Sequence, residues 1–188
     1  MAAANKLLIH TCCAHCTAYS MEYWRALGYD VIGLWFNPNI HPFTEHHLRL
    51  EAMRKLALGM DFQLVVLEGY DFHEYFRRVV GYETERCSVC FDLRLSRVAY
   101  QAAVMGIDYF TSSLFISPHQ KHDIAKAAGE QAATQNGARF LYADLRKYYS
   151  DSRRITKPFE LYCQQYCGCL YSEYERCCLS SHEPVLQP

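Results

Sequence analysis

KLLIHTCCAHC, from Lys6 to Cys16, begins as a short apolar run and ends in three cysteines. The run is of strand length and stops at Thr11. Residues Ala18 to Leu27 have helical character, and Gly28 ends them. Cys12, Cys13 and Cys16 therefore sit where a first strand turns into a first helix. A helix N-terminus favours the thiolate, which is the ligand form of cysteine. Cys13 and Cys16, three residues apart, share a face once the helix begins. The turn holds no glycine, so it lacks the usual device for cradling phosphate.

The same alternation continues along the chain. Val31 to Phe36 reads as a buried strand, closed by the turn Asn37-Pro38-Asn39. Glu45 to Leu58 carries a helical period, Gln63 to Leu67 a third strand, and Phe72 to about Val80 a helix. Phe91 to Met105 is the most helix-like segment. It is followed by a strand at Tyr109 to Leu114, a helix at Asp123 to Gln135 and a strand at Phe140 to Ala143. Alternating strands and helices imply an α/β fold: a mostly parallel sheet with helices on both faces. The expected organisation is one domain over residues 1–188, with an α/β core at about 6–145. A cysteine-bearing C-terminal lid is expected at about 146–180. Ligands of such sheets bind beyond the carboxyl ends of the strands. HTCCAHC, FNPNIHP and SSLFISPHQKH all follow strands, so reactive residues collect on that edge.

A chain of 188 residues, 51% apolar and 21% charged, suits one globular domain. No apolar run approaches the ~20 residues of a membrane span, and MAAANKLLIH is not a secretory leader. The expected location is cytoplasmic, with no membrane partner. In a reducing compartment, ten cysteines are ligands or redox groups before they are disulfides. The net charge of −1 excludes a globally basic nucleic-acid binder. Basic residues pair locally at Arg77-Arg78, at Arg146-Lys147 and at Arg153-Arg154 near Lys157, and such pairs are more often solvated surface than a binding patch.

Two further cysteine groups complete the pattern. Cys87 and Cys90, in ERCSVC, have C-x-x-C spacing at the start of the longest helix. Alone, that spacing fits zinc, iron–sulfur or a dithiol redox pair. Arg86 and Arg94 lie near enough in sequence to offset thiolate charge. In YCQQYCGC, Cys167 and Cys169 are two apart, and Gly168 frees the backbone so both can turn inward. Seven thiols exceed the four that a structural zinc or a single cubane needs. His41, His119 and His122 are the histidines on loops at the active edge, and are proton-donor candidates.

The order HTCC-x-x-C, FNPNIHP, C-x-x-C-x-x-x-RL, SSLFISPHQ-x-H and YCGC-x-YS closely resembles the QueH-type epoxyqueuosine reductases, from about Leu7 to Ser172. The resemblance implies a fold akin to the adenine-nucleotide α-hydrolases. It implies a 4Fe–4S cluster with an additional iron ion, and no cobalamin. The reaction implied is reduction of the epoxide of epoxyqueuosine, at the tRNA wobble position, to queuosine, with an external electron donor. The matched cysteines are Cys12, Cys13, Cys16, Cys87, Cys90, Cys167 and Cys169. Sequence does not decide their division: Cys12 or Cys13 is expected to join Cys87 and Cys90 on the cluster, with Cys16, Cys167 and Cys169 as candidates for the second iron. His15 stands where proline is more usual, and Cys163 is extra to the pattern.

Two other readings fit the residues without the resemblance. One is a metal-stabilised RNA-binding module without catalysis. The other is a thiol–disulfide oxidoreductase acting through Cys87 and Cys90. Metal analysis separates the first, and survival of redox activity without Cys12, Cys13 and Cys167 marks the second.

Overall fold

The computed structural model describes residues 5–67 and 69–179. Within them, five strands form one sheet: β1 (Lys6–Thr11), β2 (Asp30–Trp35), β3 (Leu64–Val66), β4 (Tyr109–Ser112) and β5 (Arg139–Phe140). The order is β3-β2-β1-β4-β5 and every pairing is parallel. The described helices are α1 (Ala14–Ala26), α2 (Phe43–Gly59), α3 (Phe72–Val79), α4 (Arg86–Val104), α5 (His122–Asn136), α6 (Tyr149–Thr156) and α7 (Leu170–Cys177). None is long and apolar enough to cross a membrane.

Strand side chains alternate between two cores. Leu7, Ile9, Val31 and Trp35 pack with Met21 and Trp24 of α1 and Leu50, Met53 and Leu56 of α2. Leu8, Ile32, Leu34 and Phe110 face the other way, against α4 and α5. A sheet covered on both faces must be apolar on both, which is why β1 is a continuous apolar run.

The strand order reverses between β1 and β4, and that switch point opens a crevice at the strand carboxyl ends. His10 ties the crevice floor together. Its Nε2–H donates to the Phe36 carbonyl at 3.3 Å, and its Nδ1 lies 3.1 Å from the Ser112 hydroxyl. This spans β1, the end of β2 and the end of β4.

Several boundaries differ from the sequence expectation for local reasons. Helix α1 starts at Ala14, with Cys13 as its extended N-cap, so Cys16 is already helical. Strand β4 stops at Ser112 because the serine hydroxyl accepts from the Leu114 N–H and starts a 3₁₀ turn. Strand β5 is two residues long: the Thr111 hydroxyl captures the Leu141 carbonyl at 2.7 Å, and the chain leaves the ladder. Helices α6 and α7, eight residues each, carry no long apolar period that would announce them.

Three histidines are buried neutral, and this sets an acid limit. Burial, with the charge of Arg94, pushes His10 down to about 3. Burial alone leads for His41 and His46, each lowered to about 4. The Trp35 indole donates to His46 Nε2 at 3.2 Å, which requires the neutral ring. Unfolded histidine titrates near ~6.5, so below that pH the unfolded chain binds protons the native state refuses. Stability is full above pH 6.5 and is expected to fall as pH drops toward 4. Urea midpoints measured across that interval check it, and a flat profile would contradict neutral burial.

Candidate metal and active site

The cysteines of all three segments arrive at the switch-point crevice, each group placed by an element end. Cys12 leaves β1 and Cys13 caps α1, while Cys87 and Cys90 occupy the first turn of α4, and Cys169 caps α7. Gly168 has φ of +146°, a backbone that side chains rarely adopt. A Cβ there would lie 3.2 Å from Ile40 and 3.4 Å from the Asn39 side chain. The glycine thus lets the Cys167–Cys169 turn lie flat on the loop after β2.

A cavity of about 450 Å³ opens beside these thiols. Cys12, Cys13, Cys16, Cys163 and Cys167 line it, with Arg49, His119, Gln120, Tyr149, Arg153, Gln164, Gln165, Tyr166 and Arg176. Cys87, Cys90 and Cys169 sit behind this wall. Thiols of different segments act on one another: Cys12 on Cys167, and Cys87 and Cys90 on both Cys167 and Cys169. Burial pushes Cys12 up to about 11 and Cys90 up to about 12, opposed in both cases by the positive charge of Arg94. As isolated thiols these two stay protonated at neutral pH.

Cys13 behaves differently. A hydrogen bond from the Cys16 thiol holds it down, to about 6, against its burial; the Cys16 backbone and Gln164 add to this. The Gln164 Nε2 donates to Cys13 Sγ at 2.7 Å. Cys16 moves well above its usual range, because it gives that hydrogen bond and is buried. The pair therefore shares one proton. Gln164→Leu removes a donor to the anion and is expected to raise the pH midpoint of Cys13 alkylation by about one pH unit in metal-free protein. Mass-mapped iodoacetamide labelling against pH reads it. An ordinary midpoint of ~8.5 in the parent would deny the pairing.

The C-terminal loop is fastened from beneath. Arg49, 2% exposed, donates to the Tyr166 and Cys167 carbonyls, each at 2.9 Å, and to Glu45 at 2.6 Å. The Tyr162 hydroxyl donates to the other Glu45 oxygen, and Tyr166 donates to the His41 carbonyl. The His41 N–H donates to the Gly168 carbonyl at 2.8 Å. Glu45 and Arg49 carry no sequence signal of this role, since an i,i+4 pair in a helix reads as surface.

The expected site residues separate in space. His119 lines the cavity. His41 lies behind it in an aromatic nest, 5.1 Å from Tyr75 and 4.9 Å from Phe76, with neither ring nitrogen hydrogen-bonded among the described residues. His122 heads α5 and turns to the Ser117 carbonyl at 3.1 Å. Arg153 reaches the cavity wall, where its guanidinium lies 2.9 Å from Cys163 Sγ; Arg154 and Lys157 are exposed on the same stretch. Arg154 pairs with Asp151. Of the two arginines noted in ERCSVC and beyond, Arg86 pairs with Glu175, whereas Arg94 is buried beside the thiols.

Among the described residues, no three His, Cys, Asp or Glu side chains stand close enough together to hold a metal ion. The donor chemistry does fit a soft metal group. Seven thiols from three segments lie toward one edge, five of them buried, with Cys87 half-buried and Cys167 exposed; none is bridged by a disulfide, and a buried guanidinium stands by to balance thiolate charge.

The family model described as "Epoxyqueuosine reductase QueH" matches residues 7–175. A Dehalococcoides mccartyi protein named epoxyqueuosine reductase QueH is 60% identical over 92% of this chain and 95% of that protein. Proteins of the same name from Acinetobacter baylyi and Thermotoga maritima are 34% and 30% identical, each over 90% of this chain, and over 81% and 91% of their own lengths. Among solved structures, a chain described as a predicted subunit of a tRNA methyltransferase from Methanocaldococcus jannaschii shares the fold. Its TM-score is 0.52 at 11% identity, over 78% of this chain and 76% of that one. With nearly its whole length matched by the family model and by relatives of equal span, the chain belongs to the epoxyqueuosine reductase QueH family.

Proposed function

We propose that this protein reduces the epoxide of epoxyqueuosine, at the wobble position of tRNA, to the alkene of queuosine. The observation that carries the reading is that cysteines of the first and third segments line one cavity on the ligand edge of the sheet, with Cys87 and Cys90 of the second near enough to act on Cys167. Conversion of an epoxide to an alkene consumes two electrons and two protons and releases water. A 4Fe–4S cluster held by Cys12, Cys13, Cys87 and Cys90, with an iron held by Cys16, Cys167 and Cys169, would supply the electron relay and a Lewis acid. An external reductant refills it.

The chain's own residues do the rest. A volume of about 450 Å³ is of a size for one flipped nucleobase and its side chain. Tyr149 and Tyr166 offer rings to stack on it, and Gln120 and Gln165 offer amides to read its polar edge. His119, the histidine on the cavity wall, is the best-placed of the three to deliver a proton to the departing oxygen. Arg153, Arg154 and Lys157 would meet the phosphates flanking the inserted nucleotide. Residues 146–180 act as a lid over the core of 6–145; Ser180 lies outside the described residues. A location in the cytoplasm follows from the tRNA substrate.

The test is anaerobically reconstituted protein, a chemical reductant, and tRNA bearing epoxyqueuosine, with nucleosides analysed by mass. Loss of one oxygen from the modified nucleoside is the expected result. Iron-loaded protein that leaves the epoxide intact would overturn the reading. Zinc alone, bound tightly after iron reconstitution, would favour the RNA-binding module.

A further inference from the structure

Tyr75, in the middle of α3, is 1% exposed, yet its hydroxyl has no regular hydrogen-bond partner among the described residues. A buried phenol left unsatisfied is costly, and phenylalanine would fill the same space without that cost. The surroundings explain the choice. Tyr75 packs in a small buried cluster with Val79, Leu93, Cys90 and Cys169. The two sulfurs come from different segments, the first turn of α4 and the cap of α7. Among the buried side chains of that cluster, only the two sulfurs can accept a hydrogen bond. A phenol is protonated at neutral pH, so toward a thiolate it can only donate. A neutral thiol is a poor acceptor, whereas a metal-bound thiolate is a good one.

We propose that Tyr75 is a positioning residue whose hydroxyl donates to the Cys169 sulfur, a ligand of the proposed second iron, beside Cys90 of the proposed cluster, and tunes the reduction potential of the iron centre they would hold. The inference rests on the proposed reductase reading and adds a determinant of its electron affinity. Reduction adds negative charge to the ligand sulfurs, so a donor aimed at them stabilises the reduced state and raises the potential. His41 packs against the ring, 5.1 Å between centroids, and restricts its orientation.

The experiment compares full-length parent and Tyr75→Phe, both reconstituted anaerobically, for iron content, sulfide content and midpoint potential. The expected variant holds the same iron and sulfide but has a lower midpoint. At a fixed reductant potential its reduced-to-oxidised ratio falls roughly tenfold, the size of one hydrogen bond to a charged acceptor. In the unaltered protein, resonance Raman should show an iron–thiolate stretch that shifts in deuterated water, and Tyr75→Phe should diminish that shift. An unchanged potential with an intact cluster would overturn this inference and leave the reductase reading standing. Loss of iron from a folded Tyr75→Phe would also overturn it, making the residue a determinant of metal retention. A parent that takes up no redox-active cluster would overturn both.

Discussion

Arg49→Met is expected to lose ~3–5 kcal/mol of stability and to release the loop that carries Cys167 and Cys169. The guanidinium is buried and spends its donors on Glu45 and on two loop carbonyls. Its removal leaves the Glu45 carboxylate, 6% exposed, with only the Tyr162 hydroxyl as a side-chain partner among the described residues. It also leaves the Tyr166 and Cys167 carbonyls without their donors. Breaking one member of a buried pair costs more than removing both, because the survivor stays charged and desolvated. The double change Glu45→Leu with Arg49→Met should therefore recover part of the lost stability, although the loop stays unfastened. Two measurements check this. Urea unfolding gives the free energies, and limited proteolysis reports cleavage at 160–169. A single variant that unfolds like the parent, with the loop still protected, would show that Tyr162, Tyr166 and the His41–Gly168 backbone bond suffice to dock it.

This clamp also marks where the sequence stops being informative. Strand β1 was legible because both sheet faces are covered, so its core residues are contiguous. The site edge was legible because HTCCAHC, FNPNIHP and SSLFISPHQKH follow strands. The special backbone of Gly168 was legible from the Cys167-Gly168-Cys169 spacing, although the structure buries only Cys169 and leaves Cys167 exposed. Arg49 was not, since nothing local distinguishes a helix arginine on the surface from one that reaches 118 residues forward to a cysteine carbonyl. His10 was hidden within its motif: its role depends on β4 lying beside β1, a long-range pairing. Gln164 and Gln120 donate to Cys13 and Cys167, and Tyr75 packs on Cys169, only because the C-terminal loop folds over the core. Side chains whose purpose is a tertiary contact leave no periodic trace. Even in the motifs, the division of cysteines between a cluster and a second iron depends on distances that spacing does not encode.

Arg94 is where metal binding and fold stability are expected to pull in opposite directions. It is 2% exposed, its Nε bonds back to the Cys90 carbonyl at 3.3 Å, and its guanidinium lies 5.5 Å from the Phe91 ring centre. Among the described residues no carboxylate lies within ion-pair distance of it. Its charge acts instead on Cys90, Cys12 and Cys167. In metal-free protein burial keeps Cys12 and Cys90 protonated at neutral pH, so the cation faces neutral sulfur and is a net cost. Arg94→Met should therefore leave the metal-free protein as stable or more so, by up to ~4 kcal/mol, as when apolar residues replace buried ionic ones. Loading the site converts the same thiols to thiolates, and the missing cation then matters. Iron retention against a chelator is expected to fall ~10–100-fold, the usual effect of losing a group that supports the ligands. A purely structural arginine would lower both quantities together. A gain in metal-free stability with a loss in retention would assign the charge to the thiolates, because no packing defect produces opposite signs.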